Sequence, residues 1–239
     1  MGLTWSAIDG NGTGPASGPS NVVTPAPPNA AVTALAATSP VSSLLVNWSS
    51  PGNQNPATYD VRYRRAPWNG TFSGYTTVLS SSPSLATTLA VGAGATYCIS
   101  ARAHDLGSNA SAWSAETCTA VPLDDRSLSR SPAWSLLANA SDYRGTILRT
   151  TTLGTKLTRT GVVARTLTLV ATTCPKCGTV KVFWGTTLLK TVSLVSSTTV
   201  HRKVITIAQF SAAKTGTIVI KVSTSGKAVL IDGLGVKRV

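Results

Sequence analysis

The sequence predicts an all-β chain arranged as two consecutive β-sandwiches, and three observations carry that expectation. Apolar residues recur as short alternating runs of roughly four to eight, punctuated by Pro, Gly, Asn and Ser, in a chain of 239 residues with 20 Gly and 13 Pro. In the second half no apolar stripe at helical period outlasts a turn. A hairpin also occurs twice in outline, from Thr4 to Pro25 and from Thr96 to Pro122. In each copy an alternating run reaches an Asp (Asp9, Asp105). A Gly/Ser/Asn-rich turn comes next, then a Ser (Ser17, Ser114), a second short strand and a Pro-containing exit, with Asp-to-Pro spacings of 16 and 17 residues.

The order of elements builds on that repeat. Residues 1–24 read as the C-terminal hairpin of an upstream domain, with Met1 inside a domain; a lone two-stranded hairpin is marginal in water. Residues 25–28, within TPAPPN, form a stiff Pro-rich linker. Seven strands then fit into residues 29–121: VTALAA, SLLVNW, YDVRYRR, YTTVL, SLATTLAV, TYCISARA and SAETCTAV. A connector, residues 122–129, is short enough to fix the orientation of the second sandwich relative to the first. The second sandwich, residues 130–239, shows TLTLVATT, TVKVFW, TLLKTVSL, HRKVITIAQF, GTIVIKVS and KAVLIDGLGV as strands. Alternation in TVKVFW and IVIKVS puts Val180, Val182, Val219 and Val222 in or near the core while Lys181 and Lys221 face solvent.

Four cysteines form two close pairs. If residue i of the TYCISARA hairpin pairs with 216 − i, Cys98 faces Cys118 and His104 faces Ala112 across a seven-residue loop. Tyr97, Ile99, Ala101 and Ala103 then point inward and Cys98 outward, so a cross-strand surface disulfide fits. Cys174 and Cys177, in CPKCG, flank a Pro suited to a tight turn. Zinc would need four ligands, and only His104 and His201 are available to supplement the thiolates. Two disulfides imply an oxidising compartment, hence a secreted or cell-surface protein.

Trp48, Tyr59, Val61, Tyr63 and Tyr97, with NWSSP and YDVRYRR, resemble the fibronectin type III domain over residues 29–121, with Tyr97 at the position of its tyrosine corner. The resemblance implies an immunoglobulin-like sandwich and brings no binding motif: the loop LGSNASA holds no Arg-Gly-Asp. The second half, with DYRGT, TGVVA, the GTVKVFWGTTLLKTVSL hairpin and IDGLGV, resembles the galactose-binding-like jelly roll. That resemblance implies a carbohydrate-binding module or an accessory domain of large exported bacterial proteins. WGTT stands where Asp-Gly or Asn-Gly is usual, and the acidic cluster of a calcium site is missing, so no metal or other cofactor is expected.

Charge divides the chain. Residues 1–125 hold four Arg and six acids; residues 126–239 hold the other seventeen Lys/Arg and only Asp142 and Asp232, so the second half carries 17 − 2 = +15 of a net +13. Such a surface attracts polyanions, and it also resists aggregation. Glycosidase chemistry needs two carboxyl groups about one bond, which Asp142 and Asp232 are poorly suited to provide, so no catalytic residue and no enzyme activity is expected. His104 and Asp105 are adjacent on a strand end and point apart, and His201 reads as one more residue of a basic strand face. Sugar binding needs a ring platform and polar neighbours: Trp134, Tyr143 and Trp184 are the aromatic candidates, with Arg144 and Arg149 beside them. Trp134 could instead plug the sandwich and Trp184 cover a hairpin end. Lys181, Arg202 and Lys203 could meet an anionic polymer. The expected partner is a polysaccharide or anionic cell-wall polymer. Nucleic acid is not expected, given the inferred export and the lack of aromatics interleaved along the basic strands, and no run approaches the roughly 20 apolar residues of a membrane span. The chain reads as a monomeric part of a longer protein, serving otherwise as a structural spacer or as the accessory tail of a secreted polysaccharide-degrading enzyme.

Overall fold

The computed structural model describes residues 28–51 and 56–239, together with two short strands near the start, β1 (Ile8–Asp9) and β2 (Gly12–Thr13). These pair antiparallel, Ile8 opposite Thr13 and Asp9 opposite Gly12. The rest of the expected 1–24 hairpin and residues 25–27 of the linker lie outside the described residues.

Six of the seven strands expected in residues 29–121 form over much of their length, while VTALAA keeps strand only at its start, in Ala31–Val32. β3 (Ala31–Val32), β4 (Ser43–Ser49) and β7 (Ala86–Ala90) make one sheet; β6 (Thr76–Ser82), β5 (Thr58–Pro67), β8 (Ala95–His104) and β9 (Thr117–Val121) make the other. Strict alternation drives β4: Leu44, Val46 and Trp48 are buried and the residues between them exposed. They meet Tyr59, Val61, Tyr97 and Ile99 from the facing sheet in a common core. Trp48 sets its ring edge-on to Tyr59, centroids 6.3 Å apart. The Tyr97 hydroxyl accepts the Gly92 N–H at 2.8 Å, tying the entry of β8 to the loop before it.

The β8–β9 hairpin departs from the expected register. Cys98 does face Cys118 and the disulfide forms, but His104 faces Ala110 rather than Ala112. The Ser114 and Ser111 hydroxyls accept the Ala101 and Ala103 N–H groups, taking the place of ladder carbonyls, and Asp105 binds both the backbone and the side-chain nitrogen of Asn109. The loop therefore tightens to five residues. Cys98 lies on the outer face, opposite Arg64, yet it is fully buried. The Glu116 carboxylate stands within 4.8 Å of both sulfurs and is held by Arg64 through two hydrogen bonds of 2.7 and 2.6 Å. The Cys174–Cys177 disulfide also forms, across a turn closed by Cys177 N–H on the Cys174 carbonyl.

The second half is a single nine-stranded sheet: β10 (Leu123–Asp124), β11 (Ser129–Arg130), β12 (Ser135–Ala138), β13 (Thr146–Thr150), β14 (Lys156–Thr173), β15 (Thr179–Trp184), β16 (Thr187–Ser193), β17 (Val200–Val222) and β18 (Val229–Lys237). The expected strands HRKVITIAQF and GTIVIKVS run together as β17, 23 residues long. It folds into a sandwich because β14 and β17 turn the corner together. Between the pairs Ala164–Lys214 and Thr166–Gln209, the four residues Phe210–Ala213 lie against Arg165 alone, and a second irregularity contains Gly161 at φ +74°. The first part of β14 thus joins β17, β15 and β16 in one layer, and the last part joins β17, β18 and β13 in the other. Leu157, Ile218, Ile220 and Val180 from one layer pack on Leu167, Leu169, Ile207 and Leu234 from the other.

Residues 122–129, expected as a connector, belong to this sheet: Leu123 pairs with Leu234 on β18 and Ser129 with Thr158 on β14. The two sandwiches share a seam as a result. On β18, Leu234 and Val236 enter the core while Gly233 and Gly235 face outward. A Cβ at Gly235 would overlap the Thr168 hydroxyl and crowd Thr38, and one at Gly233 would overlap the Leu123 carbonyl. The Thr38 and Thr168 hydroxyls bond across the seam at 2.9 Å, and the Thr96 hydroxyl donates to the Val236 carbonyl at 3.1 Å. Trp68 also folds onto the seam: its carbonyl accepts the Val163 N–H and the Arg159 guanidinium lies 3.9 Å from its ring centre.

If the bare backbone of β18 is what lets the halves dock, Gly235→Ala should cost about 1–3 kcal/mol in chemical denaturation, as overpacking a closed contact does; an unchanged midpoint would refute the contact. Both cysteine pairs being bonded, the intact chain should weigh four hydrogens less than after reduction.

Candidate functional site

Register on the outer layer of the second sandwich brings three lysines into line. Lys156 on β14 lies opposite Lys221 on β17, and Lys221 lies opposite Lys181 on β15. All three are exposed, while Leu157, Ile220, Val180 and Val182 beside them turn into the core. Neighbouring strands stand about 4.8 Å apart, so the row spans about 10 Å. Like charges directly opposite one another on a sheet are destabilising. Among the described residues no carboxylate pairs with any of the three. The next row of the same face is Thr158, Val219 and Phe183; Val219, expected in or near the core, stands outward because it is two residues from Lys221 and so shares its face, and the half-buried Phe183 ring stands between two troughs of about 270 Å³ each. Lys221 and Phe183 line both. One trough continues to Lys181, Leu153 and Ser223, the other to Lys156, Gly185 and Thr186. A row of ammonium groups, three donors each, beside an aromatic ring can hold a linear anionic polymer without a metal.

The residues expected to form a site do not come together. Lys181 belongs to the lysine row. Arg202 and Lys203 are exposed at the start of β17, in the other layer, and Arg202 donates to the Ser141 and Ala140 carbonyls. Arg149 is exposed on β13, opposite Ser135 and Leu230. Arg144 is spent on the seam, donating to the Val91 carbonyl and the Tyr143 hydroxyl. The expectation for Tyr143 is corrected, and Trp134 takes the alternative given for it, that of plugging the sandwich. Tyr143, 1% exposed, packs into the core of the first sandwich with its hydroxyl on the Pro122 carbonyl, and so offers no ring face to a ligand. Trp134, 7% exposed, fills the core of the second sandwich. Trp184 is half-buried: it lies against Gly216 and meets Phe210 edge-on at 5.1 Å, both on β17. Lys156, Lys221 and Phe183 escape a reading of the sequence as a site because alternation tells which residues face outward but not which stand side by side on neighbouring strands.

Both acids of the basic half lie inside. Asp142 accepts hydrogen bonds from Asn139 and Thr172 and meets His201 Nδ1 at 2.8 Å, so His201, expected as a plain surface residue, holds the turn that carries Tyr143. Asp232, fully buried, accepts the Tyr143 N–H on both oxygens, at 3.0 and 2.9 Å. Burial raises its pKa to about 7, against the pull of that N–H, with the Asp142 and Asp125 charges adding to the rise. Asp125, fully buried and bonded to the Thr146 hydroxyl, is pushed up to about 6, by burial first and by Asp124 beside it. Asp60 goes the other way, to about 2: burial opposes ionisation, but the Ser81 N–H, His104 and Arg102 outweigh it. The one grouping of three metal-type donors among the described residues, Cys98, Glu116 and Cys118, has its sulfurs bonded to each other and offers no thiolate.

No protein family and no curated protein matches the chain. Some solved structures are similar to the chain at low identity and low TM-score. They include a Paenibacillus xanthan lyase (14% identity, TM-score 0.38, 92% of this chain and 26% of that one). An exo-β-1,3-galactanase from Phanerochaete chrysosporium bound to β-1,3-galactotriose also matches (12%, 0.38, 98% and 62%). A third is a structure of carbohydrate-binding modules from the β-sandwich superfamily (13%, 0.36, 88% and 97%). The chain thus spans about a quarter of the lyase and about six-tenths of the galactanase.

The buried acids set a pH dependence. With folded pKa values raised above the unfolded value of about 3.9, the native state binds more protons, so stability is full below about pH 4 and falls as pH rises through 6 and 7. Asp60 acts only below that window, withdrawing its contribution as pH drops toward 2. Unfolding free energies from urea titration should therefore be lower at pH 8 than at pH 5, by a few kcal/mol at about 1.4 kcal/mol per pH unit and group, with the midpoint falling accordingly. Asp232→Asn should flatten the difference; a midpoint that rises toward pH 8 would contradict the assignment.

Proposed function

We propose that this chain is a non-catalytic part of an exported protein. In this reading the second sandwich binds an acidic polysaccharide or anionic cell-wall polymer along its lysine row, and the first sandwich serves as a fibronectin type III spacer. The observation that carries the proposal is Lys156–Lys221–Lys181, cations aligned on three neighbouring strands with no carboxylate among the described residues to offset them, beside Phe183. An arrangement that costs stability in the free protein is relieved by a polyanion laid across the strands. Two disulfides support export. The Gly92 N–H on the Tyr97 hydroxyl and the three-plus-four strand division support the spacer reading. A non-catalytic role is supported by Asp142 and Asp232, each buried and tied into the framework.

Co-sedimentation with insoluble acidic glycan or wall fractions tests this. Binding at low salt should weaken as ionic strength passes about 0.15 M. Combined Lys156→Gln, Lys181→Gln and Lys221→Gln should weaken it at least about tenfold (1.4 kcal/mol), while Arg149→Gln, also exposed but on the other layer, should not. Phe183→Ala should remove whatever binding survives high salt. Undiminished retention of the triple variant, or no retention by the unaltered chain, would leave the structural spacer or accessory tail as the better account.

A further inference from the structure

A cavity of about 440 Å³ lies away from the lysine face, on the first sandwich against the seam. We propose that it is a second binding site, for a single sugar residue bearing a carboxylate. It lies between the end of β5, the loop after that strand and the β7–β8 turn, and its volume falls within the range of small-ligand sites.

Two rings wall it, Trp68 and Phe72, and both are held before any ligand arrives. Trp68 donates its backbone N–H to the Gly94 carbonyl at 2.8 Å, accepts the Val163 N–H on its own carbonyl at 2.9 Å and carries the Arg159 guanidinium 3.9 Å from its ring centre. Phe72 has the Arg64 guanidinium 4.5 Å away. Rings fixed in this way offer apolar surface to the C–H side of a pyranose at little ordering cost. The floor is Ala93, Gly94 and Ala95, and Gly94 sits at φ +72°, where a larger residue would be strained. Small side chains there leave room for a sugar ring against the floor, whose Gly94 carbonyl and N–H are already taken by the Trp68 N–H and by the Val121 and Pro122 carbonyls.

The charged group at the mouth chooses the ligand. Arg62 is sandwiched between Tyr75 and Trp113, Arg64 is paired with Glu116 and Arg102 with Asp60, but the exposed Arg65 guanidinium has no carboxylate partner among the described residues. No lining residue is acidic, and Thr71 adds a hydroxyl. A free guanidinium fork over an acid-free, ring-walled pocket matches a carboxylate held bidentately on a sugar ring. Trp68 joins the pocket to the seam, so the second sandwich supports a site whose lining comes wholly from the first.

Amide chemical shifts of Ala93–Ala95 in the full chain test the proposal, with methyl glucuronide, methyl galacturonide, methyl glucoside and acetate as probes. Saturable shifts are expected with a uronide, with affinity at least about tenfold above that of both the glucoside and acetate. Arg65→Gln should bring the uronide down to the glucoside's level; its exposed position keeps the fold, which an unchanged melting temperature verifies. Phe72→Ala should weaken uronide and glucoside alike. The Lys181→Gln, Lys221→Gln variant should leave these shifts as they were, so that failure here and failure of the lysine row are told apart. No saturable shift with either uronide, acetate as tight as the uronide, or an Arg65→Gln chain that binds the uronide undiminished would each overturn it.

Discussion

Gly233 and Gly235 leave the outer face of β18 without side chains, and the first sandwich, with its exit strand, rests on bare backbone there. Thr38, Thr168 and Leu123 occupy the space two Cβ atoms would take. Because the approach is that close, hydroxyls and carbonyls on the two sides can bond directly: Thr38 to Thr168, Thr96 to Val236. Between the strand that carries the two glycines and the turn at Tyr143, Asp232 is closed off from water and accepts one backbone N–H on both its oxygens. The same exclusion of water that lets these neutral bonds count raises the proton affinity of Asp232 and Asp125. Seam geometry and seam electrostatics therefore share one cause.

Charge on the surface reflects where the acids have gone. Asp124, Asp125, Asp142 and Asp232 are buried around the seam, and Asp60 and Glu116 are committed to Arg102, His104 and Arg64. On the first sandwich the guanidinium groups of Arg64, Arg62 and Arg102 alternate with Phe72, Tyr75 and Trp113 as a stack over the outer face, at 3.7 to 5.5 Å. Those cations are occupied. The two proposed sites draw on cations outside these pairings, the lysine row and Arg65, one on each sandwich, and the shared seam joins the two sandwiches.

Much of this is legible in the sequence where local rules suffice. Alternation finds the seven strands of residues 29–121 and the outward lysines, and close spacing finds both disulfides. Local rules fail where the chain meets a distant segment. HRKVITIAQF and GTIVIKVS look like separate strands because the residues between them are not alternating, yet the bulge opposite Arg165 carries one strand around a corner. Tyr143 and Trp134 look like ring platforms because nothing near them in sequence announces the cores they fill. Residues 122–129 look like a tether because their partners, on β14 and β18, come much later in the chain. The lysine row needs three registers at once, information that exists only after folding.

A seam of this closeness requires the two sandwiches to tumble as one rigid body joined at β18. Residual dipolar couplings measured for backbone amides of residues 28–121 and 123–239 in one aligned sample address that directly. A single alignment tensor fitting both sets, with 15N relaxation giving one rotational correlation time, is the predicted result. Two tensors of different magnitude or orientation, or two correlation times, would show the sandwiches moving apart and would contradict the seam.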